Sequence, residues 1–287
     1  MTGTRLDARR PKDLVFTLFG EYLLGRTESV WVGSLIALLA PFGLTDGGVR
    51  TVLSRMAKKG WLTATRSGRH SFYSLTPRGR RLLEEGQARI FRPPTPGAWD
   101  GRWLLLAYSI PEDDRRLRDR LRDRLAWLGF GSIGNGLWIS PHDVLAEVEE
   151  VARSLGLEDR YVGFSARRVG GEPLAGLVAR CWDLGALAQG YRDFTVRWTP
   201  VLQQAMHQPL TPEESFTRRF DLIHEYRGFP LLDPGLPREL LPTPWSGDLA
   251  ADTFRRLHDA LVGPADAHVS RILDAAPGAG VRPPVRP

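Results

Sequence analysis

The chain has 287 residues, with 39 lysines and arginines against 33 aspartates and glutamates, six histidines and one cysteine. That length accommodates two or three domains, and 42% hydrophobic with 25% charged residues excludes global disorder. The lone Cys181 excludes a disulfide scaffold or a cysteine-built zinc site and suits a reducing compartment. The longest apolar stretch, Val30 to Leu44, is broken by Pro41 and falls short of the roughly 20 residues that span a bilayer. Nothing near the N-terminus reads as a secretion signal. The expectation is a cytoplasmic protein with no membrane contact.

The positive charge is concentrated. Residues 1–95 carry a net +9, residues 96–170 a net −1 and residues 171–287 a net −2. A basic first third on a near-neutral remainder is the footprint of nucleic-acid binding confined to one module. Linkers fall in the same places. Arg92-Pro93-Pro94-Thr95-Pro96-Gly97 holds neither a helix nor a central strand, and Gly170-Gly171-Glu172-Pro173 marks a softer break. The expected division is 1–92, 99–169 and 172–275, followed by a disordered tail, 276–287, rich in proline and glycine.

Leu14, Val15, Leu18, Phe19, Tyr22 and Leu23 recur at helical spacing, and Gly25 closes that helix. A second apolar segment, Trp31 to Leu39, ends at Pro41-Phe42-Gly43. Thr45 then sits where an N-cap belongs, with Asp46 at the positive helix end. In the next helix Val49, Val52, Leu53 and Met56 share one face, and Arg50, Thr51, Ser54, Arg55 and Lys58 occupy the other. That is the pattern of a helix-turn-helix with its recognition helix. Trp61 to Arg66 and Arg69 to Thr76 read as two strands joined at Ser67-Gly68, so the tip carries Arg66, Arg69 and His70. A basic hairpin directly after a recognition helix is the wing of a winged helix, and its cations would reach phosphates or the minor groove. The alternative is a small helical domain with a hairpin that contacts another protein.

Residues 99–169 predict the order βαββαβ, a ferredoxin-like unit. The strands are Trp103–Ile110, a pair bent at Gly134-Asn135-Gly136, and Tyr161–Arg168; the helices are the arginine-rich run after Pro111 and Val144–Leu155. Asp119 and Asp123, interleaved with the arginines at i,i+4 spacing, predict a solvated face with intrahelical pairs. Gly134-x-Gly136 lacks the third glycine and the following helix of a dinucleotide loop.

The last third predicts a long helix over 174–194, kinked at Gly185, another over 212–226, and a final one over 248–262. Between them, Pro230, Pro234, Pro237, Pro242 and Pro244 predict an extended loop wrapping the surface. Trp182, Arg197, Trp198, His224, Arg227 and Trp245 are the candidate effector-binding residues, since aromatic rings stack flat groups and arginine pairs with phosphate. The same residues are equally the ordinary furniture of a helical core. His207, His224, His258 and His268 are too dispersed for a metal site, no nucleophile elbow or phosphate loop occurs, and Cys181 reads as an inert buried thiol. No catalytic residue, metal or cofactor is expected.

Three sets of motifs together resemble the phenylacetate-degradation repressor family, the PaaX-type regulators. They are LTDGGVRTVLSRMAKKGWL with the wing RSGRHSFYSLTPRG, then YSIPEDDRR followed by GLWISP, and the late FPLLDPGLPRELLPTPWSG. The resemblance covers roughly residues 12–273. It implies an α+β protein with an N-terminal winged helix, a central ferredoxin-like βαββαβ domain like the endoribonuclease of CRISPR spacer acquisition, and a mostly helical C-terminal domain. It further implies a homodimeric, non-enzymatic transcriptional repressor on a double-stranded DNA operator, released by an aryl-CoA thioester such as phenylacetyl-CoA. In the related endoribonucleases an acidic metal ligand ends the first strand. Here Ser109 stands at that place, which argues against a metal-dependent nuclease. That nuclease and a protein-interaction module remain the rival readings.

Overall fold

The computed structural model describes residues 10–91 and 99–277. The linker expected at 92–97 and the tail from 278 onward lie outside those residues. In chain order, α1 (Pro11–Leu18) continues into a π-turn, Phe19–Leu23, followed by β1 (Val30–Trp31), α2 (Val32–Leu39), α3 (Asp46–Lys58), β2 (Leu62–Ser67), β3 (His70–Leu75) and α4 (Pro77–Phe91). Next come β4 (Arg102–Tyr108), α5 (Arg115–Trp127), β5 (Gly131–Gly134), β6 (Leu137–Ser140), α6 (Leu145–Leu155) and β7 (Tyr161–Arg167). The remainder holds α7 (Leu174–Cys181), α8 (Leu184–His207), α9 (Pro212–Tyr226), α10 (Phe229–Leu232) and α11 (Ser246–Asp274). The protein is α+β, as its sequence predicts.

The chain forms two compact units, each assembled from separate segments. The first takes in the N-terminal segment to Arg92, Thr195–Gly228 and the segment from Ala251; the second takes in Pro93–Phe194 and Phe229–Ala250.

In the first unit, β1, β3 and β2 form an antiparallel sheet in that order, with Val30 opposite Tyr73 and Leu62 opposite Leu75. The winged-helix pattern is therefore present, with one strand that periodicity could not reveal. β1 is only two residues long, too short to alternate. Leu14, Leu18, Tyr22, Leu35, Leu39, Val49, Leu53 and Met56 share one core with Phe216 and Phe220 of α9 and Ala265 and Val269 of α11. Phe42 stacks on Phe220 at 3.8 Å between ring centroids. The small N-terminal helices cannot cover their own apolar stripe, and the later helices complete it.

A buried ion network runs through this core. Arg219, 4% exposed, pairs with the equally buried Glu21 of the π-turn, which is 198 positions earlier, and donates to Asp266 Oδ1 at 3.1 Å. Its guanidinium lies 5.0 Å from the Tyr22 ring centre. Arg26 reaches the other oxygen of Asp266 at 2.8 Å, and His258 Nε2 lies 3.1 Å from Glu21. Burial drives the Tyr22 hydroxyl pKa far above its ordinary value, while the nearby Arg219 opposes that shift, so Tyr22 stays neutral and points its hydroxyl toward the Phe216 carbonyl at 3.4 Å.

The second unit has a four-stranded antiparallel sheet, β5-β6-β4-β7, the order of a ferredoxin-like fold. Leu104, Leu106 and Trp138 of one sheet face pack with Leu121 and Leu125 of α5 and Val148 and Ala152 of α6. On the other face, Trp182 stacks on Trp103 at 6.3 Å. A Cβ at Gly131 would stand 2.6 Å from both Cys181 and Trp182, so only glycine lets that segment approach the sheet.

Three expectations need correction. The helix predicted over 174–194 is two helices, because the chain turns at Trp182 and Asp183, and Asp183 Oδ1 caps α8 by accepting from the Ala186 amide at 3.0 Å. The second of them continues through Pro200 to His207, and α11 likewise continues through Pro264 to Asp274. The proline-rich loop is not a surface wrap: Leu236, Leu240 and Trp245 are buried, and Tyr191 donates to Asp233 at 2.7 Å within it. On α5, Asp119 and Asp123 form no ion pair among the described residues, so the expected intrahelical pairs are absent.

Two outcomes follow from the first unit's core. Glu21→Gln leaves Arg219 buried with half its compensation, and a loss of about 3 kcal/mol in urea denaturation is expected. His268, stacked on Phe216, accepts from Arg271 at Nδ1. Burial, then Arg271, lower its pKa below 6.5 against the opposing pull of Glu213. The unfolded chain therefore binds this proton more readily, so the neutral imidazole's contribution is complete above about pH 6.5 and fades as pH falls through the lower folded pKa. His268→Leu should flatten that limb of the stability–pH profile by up to about 1.4 kcal/mol per pH unit.

Candidate nucleic-acid interface

α2 and α3 meet at 115°, counting α2 with the 3₁₀ turn to Phe42. That lies within the angle at which a helix-turn-helix presents its second helix. The turn depends on Gly43, whose φ of 81° is left-handed. Thr45 then caps α3 by accepting from the Gly48 amide at 3.2 Å. Val49, Val52, Leu53 and Met56 anchor the helix in the core, which leaves Arg50, Thr51, Ser54, Arg55 and Lys58 exposed together on the opposite side.

Their readiness differs. Arg50 is held by Asp46 one turn earlier, and the Thr51 hydroxyl donates to the Gly47 carbonyl at 2.7 Å. Arg55 and Lys58 are exposed and make no ion pair among the described residues. Both sit in the last turn, where cations also favour the helix end.

The wing pairs β2 with β3 from Leu62↔Leu75 out to Ser67↔His70, and the chain reverses at Gly68-Arg69, one residue beyond the predicted turn. Arg66 and Arg69 are exposed near its tip. His70 is half-buried, its ring edge-on to Trp31 at 5.8 Å. Along β2 only Leu62 is buried, so Thr63 and Thr65 face solvent beside the arginines. The sequence reading passed over them because no period marks a solvent-facing edge strand. Lys12 and Lys59 both lie over the Trp61 ring, at 5.6 and 5.4 Å from its centre, and extend the basic surface.

The six candidate effector residues divide between the two units. Trp182 and Trp245 belong to the second unit; Arg197, Trp198, His224 and Arg227 belong to the first. Trp182 keeps its indole Nε1 buried without a partner, as does Trp103, and Trp245 packs edge-on to Tyr191 at 5.9 Å. In the first unit, Trp198 donates to Glu225 at 3.1 Å and Arg197 lies 3.3 Å from the same carboxylate oxygen. Arg227 donates to Thr17 Oγ1 at 2.8 Å and to the Asp13 carbonyl at 2.9 Å, and His224 Nδ1 lies 2.9 Å from Thr17 Oγ1. The Thr17 hydroxyl itself donates to Asp13, which leaves its lone pairs for Arg227 and for a proton on His224 Nδ1. Burial pulls the Arg227 pKa down against Asp13. Burial likewise raises the Cys181 pKa against the opposing pull of Arg180, which keeps it a thiol. Ser109 is exposed just past β4, its amide bonded to the Arg160 carbonyl at 3.0 Å, and the described residues hold no group of three potential metal ligands. Among them, no single helix is long and apolar enough to cross a membrane.

Comparison with known proteins adds three family-model matches. A PaaX-like protein model matches residues 10–79, the PaaX protein central Cas2-like domain matches 96–178, and the PaaX-like protein C-terminal domain matches 182–271. The transcriptional repressor PaaX of Escherichia coli (strain K12) is 38% identical over 263 residues, 90% of this chain and 82% of that protein. Among solved structures, an uncharacterised protein from Mycobacterium tuberculosis superposes with a TM-score of 0.57 at 24% identity, covering 88% of this chain and 96% of that one. That likeness speaks to the fold.

Proposed function

The chain belongs to the PaaX family, and from that membership we propose that it is a DNA-binding transcriptional repressor, a regulator and not an enzyme. The observation that carries this reading is the exposed row Arg50, Thr51, Ser54, Arg55 and Lys58 on a helix set at 115° to its predecessor, with Arg66 and Arg69 on the adjoining wing. α3 enters the major groove, where Arg55 and, once released from Asp46, Arg50 reach base edges. Lys58, Arg66, Arg69 and the wing threonines hold phosphates and fix the register. His70, packed on Trp31, supports the wing from beneath. The protein acts as a homodimer in the cytoplasm, each winged helix on one half of a pseudo-palindromic operator.

Release follows from an aryl-CoA thioester of the phenylacetyl-CoA kind, taken by the helical segments between residues 172 and 275. The family resemblance supports this reading of the ligand. In the first unit Arg197 offers an exposed cation for phosphate beside Trp198. Binding shifts the population toward a form whose recognition helices no longer match the half-sites.

Fluorescence anisotropy on a labelled duplex from upstream of the chain's own gene, against a scrambled duplex at two salt concentrations, tests the first part. Arg55→Ala should cost about 1–3 kcal/mol and relax sequence preference, and Arg66→Ala or Arg69→Ala should each flatten the salt slope by about one unit. Unchanged affinity in all of them would overturn the interface. In the same assay phenylacetyl-CoA should displace the DNA while free CoA and phenylacetate leave it bound; specific binding indifferent to the thioester would keep the repressor and discard its effector.

A further inference from the structure

Glycines cluster where α3 begins, and two of the three have a reason inside the chain. Gly43 turns the backbone at a φ of 81°, which a side chain would strain. A Cβ at Gly48 would stand 3.2 Å from Thr45 Oγ1, the hydroxyl that caps the helix. Gly47 has neither reason. It lies within the ordinary right-handed helix, and a Cβ there would meet nothing within 4 Å among the described residues. Alanine would fit the place without strain and hold the helix better, because glycine gives up more backbone freedom on folding.

The surroundings of Gly47 supply the missing reason. Gly47, Thr51, Ser54 and Lys58 follow one another at i, i+4, i+7 and i+11, and all four are exposed. They run along the crest of α3, opposite Val49, Val52, Leu53 and Met56. At its start that crest is low. Position 47 carries no side chain, and the Thr51 hydroxyl is turned back to the Gly47 carbonyl at 2.7 Å. The long cations Arg50 and Arg55 stand to either side. A helix of this shape enters a groove until its own backbone meets the bottom, while the arginines reach along the walls.

We infer that Gly47 marks the closest approach of this protein to DNA. The first turn of α3 is pressed against base edges in the major groove, and those edges fill the space that a side chain at 47 would take. The inference rests on the DNA-binding reading above and fixes the depth at which the helix sits. Recognition helices do touch base edges through their N-terminal residues. Seated in this way, Arg50 is one turn from the contact and exchanges Asp46 for a base.

The test sets stability against binding. Gly47→Ala should melt about 1–3 °C above the unmodified protein. In anisotropy on the operator duplex its dissociation constant should nonetheless rise about tenfold, and that of Gly47→Leu about a hundredfold. Circular dichroism confirms that both variants are folded. Gly263 on α11 is the control: it is also exposed, with nothing within 4 Å of a Cβ among the described residues, and Gly263→Ala should bind DNA as the unmodified chain does. Operator binding unchanged in Gly47→Ala would overturn the close approach and leave the interface standing. Binding and melting temperature lowered together would also overturn it, since Gly47 would then serve the fold. An unmodified chain that binds the operator no better than a scrambled duplex would overturn the DNA-binding reading and this inference together.

Discussion

A guanidinium without water is the constraint around which the first unit is arranged. Arg219 lies on α9 in the middle of an aromatic core, between Phe216 and Phe220, and almost no solvent reaches it. A charge in that position is tolerated only with excellent compensation. The compensating carboxylates come from the π-turn after α1 and from α11, so three distant stretches of chain must arrive together. The widened π-turn has a rationale here: it sits where Glu21 must meet Arg219 while Tyr22 remains in the core. α3 stands on this same core through Val49, Leu53 and Met56. Its outward side chains are held by packing that extends well beyond the winged helix itself.

The outward face of α3 shows a second principle, that exposed charge is not uniform charge. Arg50 spends its guanidinium on Asp46, and Thr51 on the backbone below it, whereas Arg55 and Lys58 have no carboxylate to leave. A residue already paired must exchange one partner for another, and the gain on contacting DNA is the difference between the two. Asp46 thus does two things at once: it favours the positive helix end, and it tempers the nearest arginine.

Much of this was legible in the sequence, and what was not had a physical reason. α3 announced itself through Thr45 and the 3.6-residue period. The wing announced itself through its turn and basic tip, and the ferredoxin-like order through its strand spacing. Those are local signals. β1 was invisible because two residues carry no period, and the break at Trp182–Asp183 was legible only as a kink at Gly185, because the apolar pattern runs through it. The helices continued past Pro200 and Pro264, where packing outweighs a lost hydrogen bond. The six candidate effector residues were chosen by chemistry alone, and chemistry does not say which of them fold beside one another. Thr17 had no distinguishing pattern at all, yet it joins Asp13, His224 and Arg227.

The order in which the first unit's segments occur along the chain bears on how the protein comes into being. Its N-terminal segment leaves the ribosome long before α9 and α11, which supply Phe216, Phe220, Ala265 and Val269 to the shared core and Arg219 and Asp266 to the ion network. About 160 residues separate Phe91 from Ala251, which at typical elongation speeds is roughly 10–30 s of synthesis. Throughout that interval the nascent recognition helix lacks the floor it rests on, and Glu21 waits for a counter-charge not yet made. A polypeptide released early would carry the outward residues of α3 and the wing but lack Phe216, Phe220, Ala265 and Val269 of the core beneath them. The shared core is thus complete only once α11 has been made.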